Sequence, residues 1–316
     1  MQAASPLVQS ASAIFMVRPA FFGFNPETGA TNAFQTVTEP DLTAAARAEF
    51  DGAVESLEKE GVKIFVFDSS DAGAPDAIFP NNWFTLLHDG NLILYPMQPE
   101  SRRRERSREA ISFIETTFNP RTRLDLTGYE QEGLFLEGTG SVVFDHHNRI
   151  AYAVESARTH RQVLEDLCKR IGYEPFLFHA FDHSGQPVYH TNVVMNIASG
   201  YAMLCDEAVS DIREREMLLE SLRRSGRELV LITMVQMNHF CGNILQVRDE
   251  AGRELTVCSS TAHRALLPDQ IRQISPLLVV DVSIIEQAGG GGIRCMMAEI
   301  FHANTDVVTD AATGGF

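Results

Sequence analysis

A thiol, an imidazole and a carboxylate each stand in a distinctive frame in this sequence. The thiol is Cys295, at the end of Gly289-Gly290-Gly291-Gly292-Ile293-Arg294-Cys295. Four consecutive glycines give a backbone that takes positive φ and lets a ligand come close. A cysteine nucleophile needs access, a depressed pKa and an acid–base partner. Arg294 and the loop amides, Gly292 among them, suit a thiolate or a bound anion. A flexible loop ahead of a core cysteine is the competing reading. The imidazole is His190 in Tyr189-His190-Thr191-Asn192, a run that reads as mid-strand. Two apart on a strand, His190 and Asn192 share a face, and a histidine facing a cavity can act as general acid and base. The carboxylate is Glu137 in Leu136-Glu137-Gly138-Thr139-Gly140, which reads as the end of an apolar strand. An acid there can orient and charge-stabilise an imidazole.

Two further segments suit substrate binding. Phe79-Pro80-Asn81-Asn82-Trp83-Phe84 holds the only tryptophan beside two amides, as a polar pocket with an apolar wall would. Arg158, in Ser156-Ala157-Arg158-Thr159, sits at a strand-to-helix junction where a guanidinium can grip a carboxylate in bidentate fashion. Plain alternatives stand beside each: a Pro-Asn turn, a surface arginine, a hydrogen-bonded structural histidine. His239 and Cys241 form a competing pair without a glycine frame. Cys168, Cys205, Cys241 and Cys258 lie in apolar stretches and read as small core residues.

The elements that must position these groups recur with a beat. Helical patterns run over Asp41–Glu60, Ser101–Phe118, Ser156–Ile171, Asp211–Arg224 and Ala262–Ile274, with starts about 50 to 60 residues apart. Strand-like runs lie between them: Val62–Phe67, Leu92–Tyr95, Leu134–Leu136, Phe176–Phe181, Glu228–Thr233 and Leu277–Ile285. Hairpin signals join Val142–Phe144 to Ile150–Val154, Val188–Ile197 to Tyr201–Cys205, and Phe240–Val247 to Leu255–Cys258. Each unit reads as strands plus one helix, repeated five times, in an α/β chain. No linker divides it. Residues 10–316 form one domain in this reading, and residues 1–9 a flexible N-terminus.

The 316 residues are 44% hydrophobic and 22% charged, ordinary globular composition. A formal charge of −16 argues against nucleic acid and anionic membranes as partners. The basic run from Arg102 to Arg108 is interleaved with Glu105 and reads as the solvated face of a helix. No CxxC or Cys/His cluster supports a metal site. No secretory or membrane-spanning signal appears, so a reducing cytoplasm with free thiols is expected. The sequence does not give the number of subunits, and a homo-oligomer stays open.

Taken in order, Phe-x-x-Asn, Glu-Gly, Ser-x-Arg-Thr, His-x-Asn and a glycine run ending in Arg-Cys resemble the guanidino-group-modifying enzymes, from Phe79 to Cys295. That superfamily includes arginine deiminase, arginine–glycine amidinotransferase, dimethylarginine hydrolase and succinylarginine dihydrolase. Its branch of amidinotransferase-like, citrulline-utilisation hydrolases looks most similar. The resemblance implies a pentein fold, five ββαβ-type modules in a propeller around a central pocket. It implies Cys295 as nucleophile, His190 as acid and base, Glu137 as its support, and Arg158 at the amino-acid end of a small-molecule substrate. No cofactor and no metal are implied. Asn81, Asn82, Asn192, Arg294 and Gly292 fall in the expected substrate-binding set. Deiminases carry aspartates at the positions of Asn82 and Asn192, where they grip a cationic guanidinium. Amides remove that preference and add N–H donors, which a ureido oxygen accepts. The expected substrate is therefore a ureido amino acid such as citrulline, or a guanidino one processed through it. An amidinotransferase and a non-catalytic binding protein are the competing expectations. Phe21–Gln35 is the candidate flap over the pocket.

Overall fold

The computed structural model describes residues 7–37 and 41–302. Strand β1 (Ala13–Arg18) leads through the helix Thr43–Lys59 to β2 (Lys63–Asp68), which lies parallel beside it. The hairpin β3 (Phe84–Leu86) and β4 (Asn91–Leu94) is followed by the helix Arg108–Phe118 and by β5 (Thr122–Asp125), parallel to β4. The same order recurs with β6 (Val142–Asp145), β7 (Ile150–Val154), the helix Arg161–Ile171 and β8 (Glu174–Phe178). It recurs again with β9 (Met195–Ile197), β10 (Tyr201–Leu204), the helix Ile212–Arg224 and β11 (Glu228–Leu231). A fourth instance is β12 (Leu245–Arg248), β13 (Glu254–Ser259), helical turns to Ile274 and β14 (Leu277–Val280). Finally β15 (Ala298–Ile300) pairs antiparallel with β1 and completes the fifth ββαβ unit from the two ends of the described chain.

The helices bury one apolar stripe each, as their sequence period requires. In Thr43–Lys59 the buried residues are Ala46, Phe50, Ala53, Val54 and Leu57. In Arg161–Ile171 they include Val163, Leu164, Leu167 and Ile171, and Gly172 ends the helix in a left-handed conformation. Two predicted helices are broken. Ser107 restarts the second by accepting a hydrogen bond from Ala110 N at 3.1 Å, so Glu100–Arg103 stands apart from Arg108–Phe118. Pro268 begins a new helix after Ser260–Ala265. The strand predicted over 277–285 stops at Val280, where the helix Ser283–Gly289 takes over. Leu134–Leu136 forms no strand; Leu136 makes one isolated bridge, to Thr159.

The 1–9 segment, expected to be loose, is pinned where it is described. Gln9 is buried and its Nε2 donates to the carbonyls of Phe144 and Ile197 at 2.8 and 3.2 Å. Residues 1–6, and 303–316 of the expected domain, lie outside the described residues. No helix among the described residues is long and apolar enough to cross a membrane.

Candidate active site

The glycine run is a helix stop pressed between side chains. Gly290, at φ 64°, caps the helix Ser283–Gly289. A Cβ there would come within 2.5 Å of Asn32 Nδ2, so glycine is required for conformation and for space. One 3-10 turn, Ile293–Met296, then carries Cys295. Cys295 is 3% exposed and belongs to one of the buried apolar clusters, more enclosed than an open loop would leave it. Its sulfur takes hydrogen bonds from two amides, Asn192 Nδ2 at 3.4 Å and Asn243 Nδ2 at 3.3 Å. Burial pushes the Cys295 pKa above the ordinary thiol range, while the two amides, Arg294 and Arg102 pull the other way. The resting group is a neutral thiol at pH 7.

His190 and Glu137 are not strand residues. Each caps a single helical turn, Thr191–Val194 and Gly138–Ser141 respectively. The β-branched run around His190 has strand composition, but Thr191 Oγ1 donates to Ser141 O at 2.5 Å and accepts from Val154 N at 2.7 Å. These bonds tie the turn to its neighbour. Gly138 and Gly140 are demanded by the same closeness. A Cβ on the first would collide with Asn81 O, and on the second with Asn82 Nδ2 and the His190 ring.

The imidazole and carboxylate meet as expected, with His190 Nε2 2.9 Å from Glu137 Oε2. Burial alone would raise the Glu137 pKa, but Arg158, His190 and Arg102 overcome it and hold the carboxyl at about 2. Burial lowers His190 to about 4 against the opposing pull of Glu137. The ring is neutral at pH 7. Because an ionised carboxylate only accepts, Nε2 carries the proton and Nδ1 keeps a free lone pair.

A narrow cleft gathers Asp76, Asn82, Arg102, Arg158, His190 and Cys295 along its walls. Part of the Phe21–Gln35 segment covers it. Thr28 and Asn32 line the cleft, and Asn32 Nδ2 donates to Gly290 O at 3.1 Å.

The other predicted residues divide. Asn82 lines the cleft, whereas Asn81 lies behind it with Nδ2 on Thr139 Oγ1 at 3.3 Å. Arg158 is buried and lines the cleft, but its Nε and Nη2 go to Thr31 Oγ1 at 3.1 and 2.6 Å, and Nη2 also to Thr28 O at 2.9 Å. Its Nη1 stands 3.6 Å from Glu137. It fastens the cover and the carboxylate and offers no open fork. Arg294 points away from the cleft. It pairs with Glu299 at 2.9 Å and lines a separate small cavity with Gln9 and His146. Gly292 lies outside the cleft lining, against Asn243 Oδ1. The competing pair dissolves: Cys241 sits in the core on Ala262 O at 3.5 Å, and His239 is exposed on Val235 O at 2.7 Å.

Three groups stand outside the sequence motifs, two on the cleft wall and one against the sulfur. Arg102, read as solvated, is 3% exposed. It grips Glu105 with Nε and Nη2 at 2.7 and 3.0 Å, and donates to Asn82 Oδ1 at 2.8 Å. An i,i+3 Arg–Glu pair looks the same in sequence whether wet or buried. Asp76 accepts from Asn25 Nδ2 at 2.7 Å on Oδ2, while its buried Oδ1 has no partner. The replacement of two aspartates by amides therefore does not leave the cleft without a carboxylate. Asn243, the third, touches the sulfur from a turn that no motif marked. Among the described residues no three His, Cys, Asp or Glu side chains converge as metal ligands do.

Five ββαβ units and a thiol, imidazole and carboxylate on one cleft define a protein of the guanidino-group-modifying, pentein superfamily. Within it, the chain belongs to the family described as N,N dimethylarginine dimethylhydrolase, eukaryotic, whose model matches residues 18–302. No curated protein sequence matches. Among solved structures, full-length apo ArgZ, an arginine dihydrolase from the ornithine–ammonia cycle in Cyanobacteria, is similar at 15% identity and TM-score 0.73. That match covers 92% of this chain but only 42% of ArgZ, so the chain spans less than half of that relative. The N-terminal domain of ArgZ, bound to substrate, matches at 15% identity and TM-score 0.72 over 92% of this chain and 98% of the domain. DDAH from Pseudomonas aeruginosa, complexed with citrulline, matches at 15% identity and TM-score 0.64 over 92% of this chain and all of the other.

Proposed function

We propose that this protein is a cysteine-dependent hydrolase that cleaves a C–N bond of an arginine- or citrulline-type amino acid, with its five units closed as a pentein propeller. The observation that carries this is the convergence of Cys295, His190 and Asn82 on one covered cleft, with Glu137 behind the imidazole. Membership of the dimethylarginine hydrolase family and the arginine or citrulline bound in similar structures support the substrate class.

The neutral thiol–imidazole pair sets the order of proton movements. As the Cys295 sulfur bonds to the planar carbon, the thiol proton passes to His190. The imidazolium, stabilised by Glu137, then protonates the terminal nitrogen, and the C–N bond breaks to release ammonia. A ureido substrate leaves a thiocarbamoyl group on the sulfur, and a guanidino substrate leaves its amidino counterpart. His190 next takes a proton from water, the hydroxide adds, and the S–C bond breaks to restore the thiol. Water yields a carbamate, which loses carbon dioxide to give the amine, or a ureido product in the guanidino case. Asn82 turns its N–H toward a ureido oxygen because Arg102 holds its Oδ1. We read the substrate as a ureido amino acid, or a guanidino one whose ureido product is processed further.

The test is a product assay with arginine, citrulline and N,N-dimethylarginine, following ammonia, ornithine and citrulline. Consumption of arginine with citrulline accumulating unhydrolysed would sink the ureido reading. Turnover of none would sink the hydrolase. Adding glycine as acceptor reveals transfer if an amidino group moves to it.

A further inference from the structure

The sulfur of Cys295 is approached by two carboxamides, and only one belongs to a motif with an expected role. The other, Asn243, comes from the turn between the helix Met234–Met237 and β12. That turn is built at some conformational cost. Phe240 adopts a left-handed φ of 60°, which a bulky side chain rarely takes. Gly242 presses so close to the Thr191–Val194 turn that a Cβ would collide with Val193 O. Asn243 N donates to Phe240 O at 2.9 Å, and the side chain is 1% exposed. A strained residue, an obligatory glycine and a buried amide together place one carboxamide against one sulfur.

The contacts of that carboxamide fix which way round it sits. Nδ2 donates to Asn192 O at 3.3 Å and to Cys295 Sγ at 3.3 Å. Oδ1 stands 3.7 Å from the same sulfur, within reach of an S–H. The amide therefore serves both states of the thiol, accepting from S–H and donating to S⁻. A buried thiolate without such donors is costly, and no carboxylate oxygen among the described residues is hydrogen-bonded to the sulfur. We propose that Asn243 is a catalytic residue, which stabilises the Cys295 thiolate and holds the sulfur in register through the loss and return of its proton. The word catalytic rests on the hydrolase reading above; the effect on the thiol does not.

The charged and titratable groups around the sulfur are Arg294 on its own turn, Asp76, Arg102, Arg158, His190 and Tyr189 from the cleft walls, and Glu286 beside Gly292. Asn243→Ala and Asn243→Asp leave all of these in place, and the aspartate keeps the shape of the turn. The measurement is the pH titration of thiolate ultraviolet absorbance, with a Cys295→Ser control subtracted. Burial pushes Cys168, Cys205, Cys241 and Cys258 up to about 12, which keeps them silent over most of the range. The alanine variant should move the Cys295 midpoint upward by about one pH unit, a tenfold loss of thiolate at fixed pH, and the aspartate variant further. Should the alanine variant fail to fold, the aspartate variant decides alone. Midpoints unchanged from the wild type overturn the proposal. A shifted midpoint in a protein that turns over no guanidino or ureido amino acid keeps the thiolate role and removes the hydrolase. Turnover with an unmoved midpoint does the reverse.

Discussion

Arg102 Nη1 lies 2.8 Å from Asn82 Oδ1, and this one contact sets which way the Asn82 amide faces. The oxygen is committed to the guanidinium, so Nδ2 is turned toward the Glu137 carbonyl, at 3.5 Å. In the proposed reaction, the amide's N–H on the cleft wall meets an acceptor on the substrate. Asn82→Asp should pair with Arg102 on one oxygen and offer the other, an acceptor, to the cleft. Preference in kcat/KM for arginine over citrulline should rise by roughly tenfold or more. Kinetics with both substrates checks it; an unchanged ratio refutes the role given to the amide.

The protonation states predict a wide pH plateau. His190 must be neutral to receive the thiol proton, and burial sets its pKa at about 4. The acid limb of kcat/KM should therefore lie near pH 4, well below an ordinary histidine. The alkaline limb should follow Cys295, whose pKa is raised by burial. A limb near pH 6.5 would mean that His190 is solvated in the free enzyme.

Glu286 makes stability fall with rising pH. Burial pushes its pKa to about 7, and Glu49 and Asp281 add to the rise. The folded state holds one proton that the unfolded state has released between about pH 4.5 and 7. Its contribution is least unfavourable below that window and costs up to about 3 kcal/mol above it. Glu286→Gln should match the wild type in urea denaturation at pH 4 to 5 and exceed it at pH 8. Equal differences at both pH values would show that Glu286 does not titrate in that window.

Gly290→Ala tests the join between cover and thiol loop. The added methyl meets Asn32 Nδ2 at 2.5 Å and Gln35 N at 2.8 Å on a backbone already at φ 64°. Loss of about 1 to 3 kcal/mol in stability is expected, with a raised KM because the cover loses its seat. An unchanged KM would separate the cover from substrate binding.

The sequence revealed the repeat better than the local geometry of the site. The spacing of Leu, Val and Phe along the helical patterns marks their inner faces. The chemistry-bearing residues were found by type and order, yet His190 and Glu137 were assigned to strands. Their turns exist because Thr191 and Ser141 bond to each other across units, a tertiary fact invisible in a window of ten residues. Arg102 was lost because its partner Glu105 is also the partner a surface arginine would have. Asn243 was lost because its place depends on Phe240 taking a conformation that its own side chain disfavours.

Strand β1 lies near the start of the described residues and finds one of its two neighbours only when β15 has been synthesised, and the Cys295 thiol lies three residues ahead of that strand. A nascent chain thus stays one edge short until almost its last described residue, and acquires Cys295 in the same stretch. A chain stopped before Cys295 therefore lacks both the strand that pairs antiparallel with β1 and the sulfur on which the proposed hydrolysis depends.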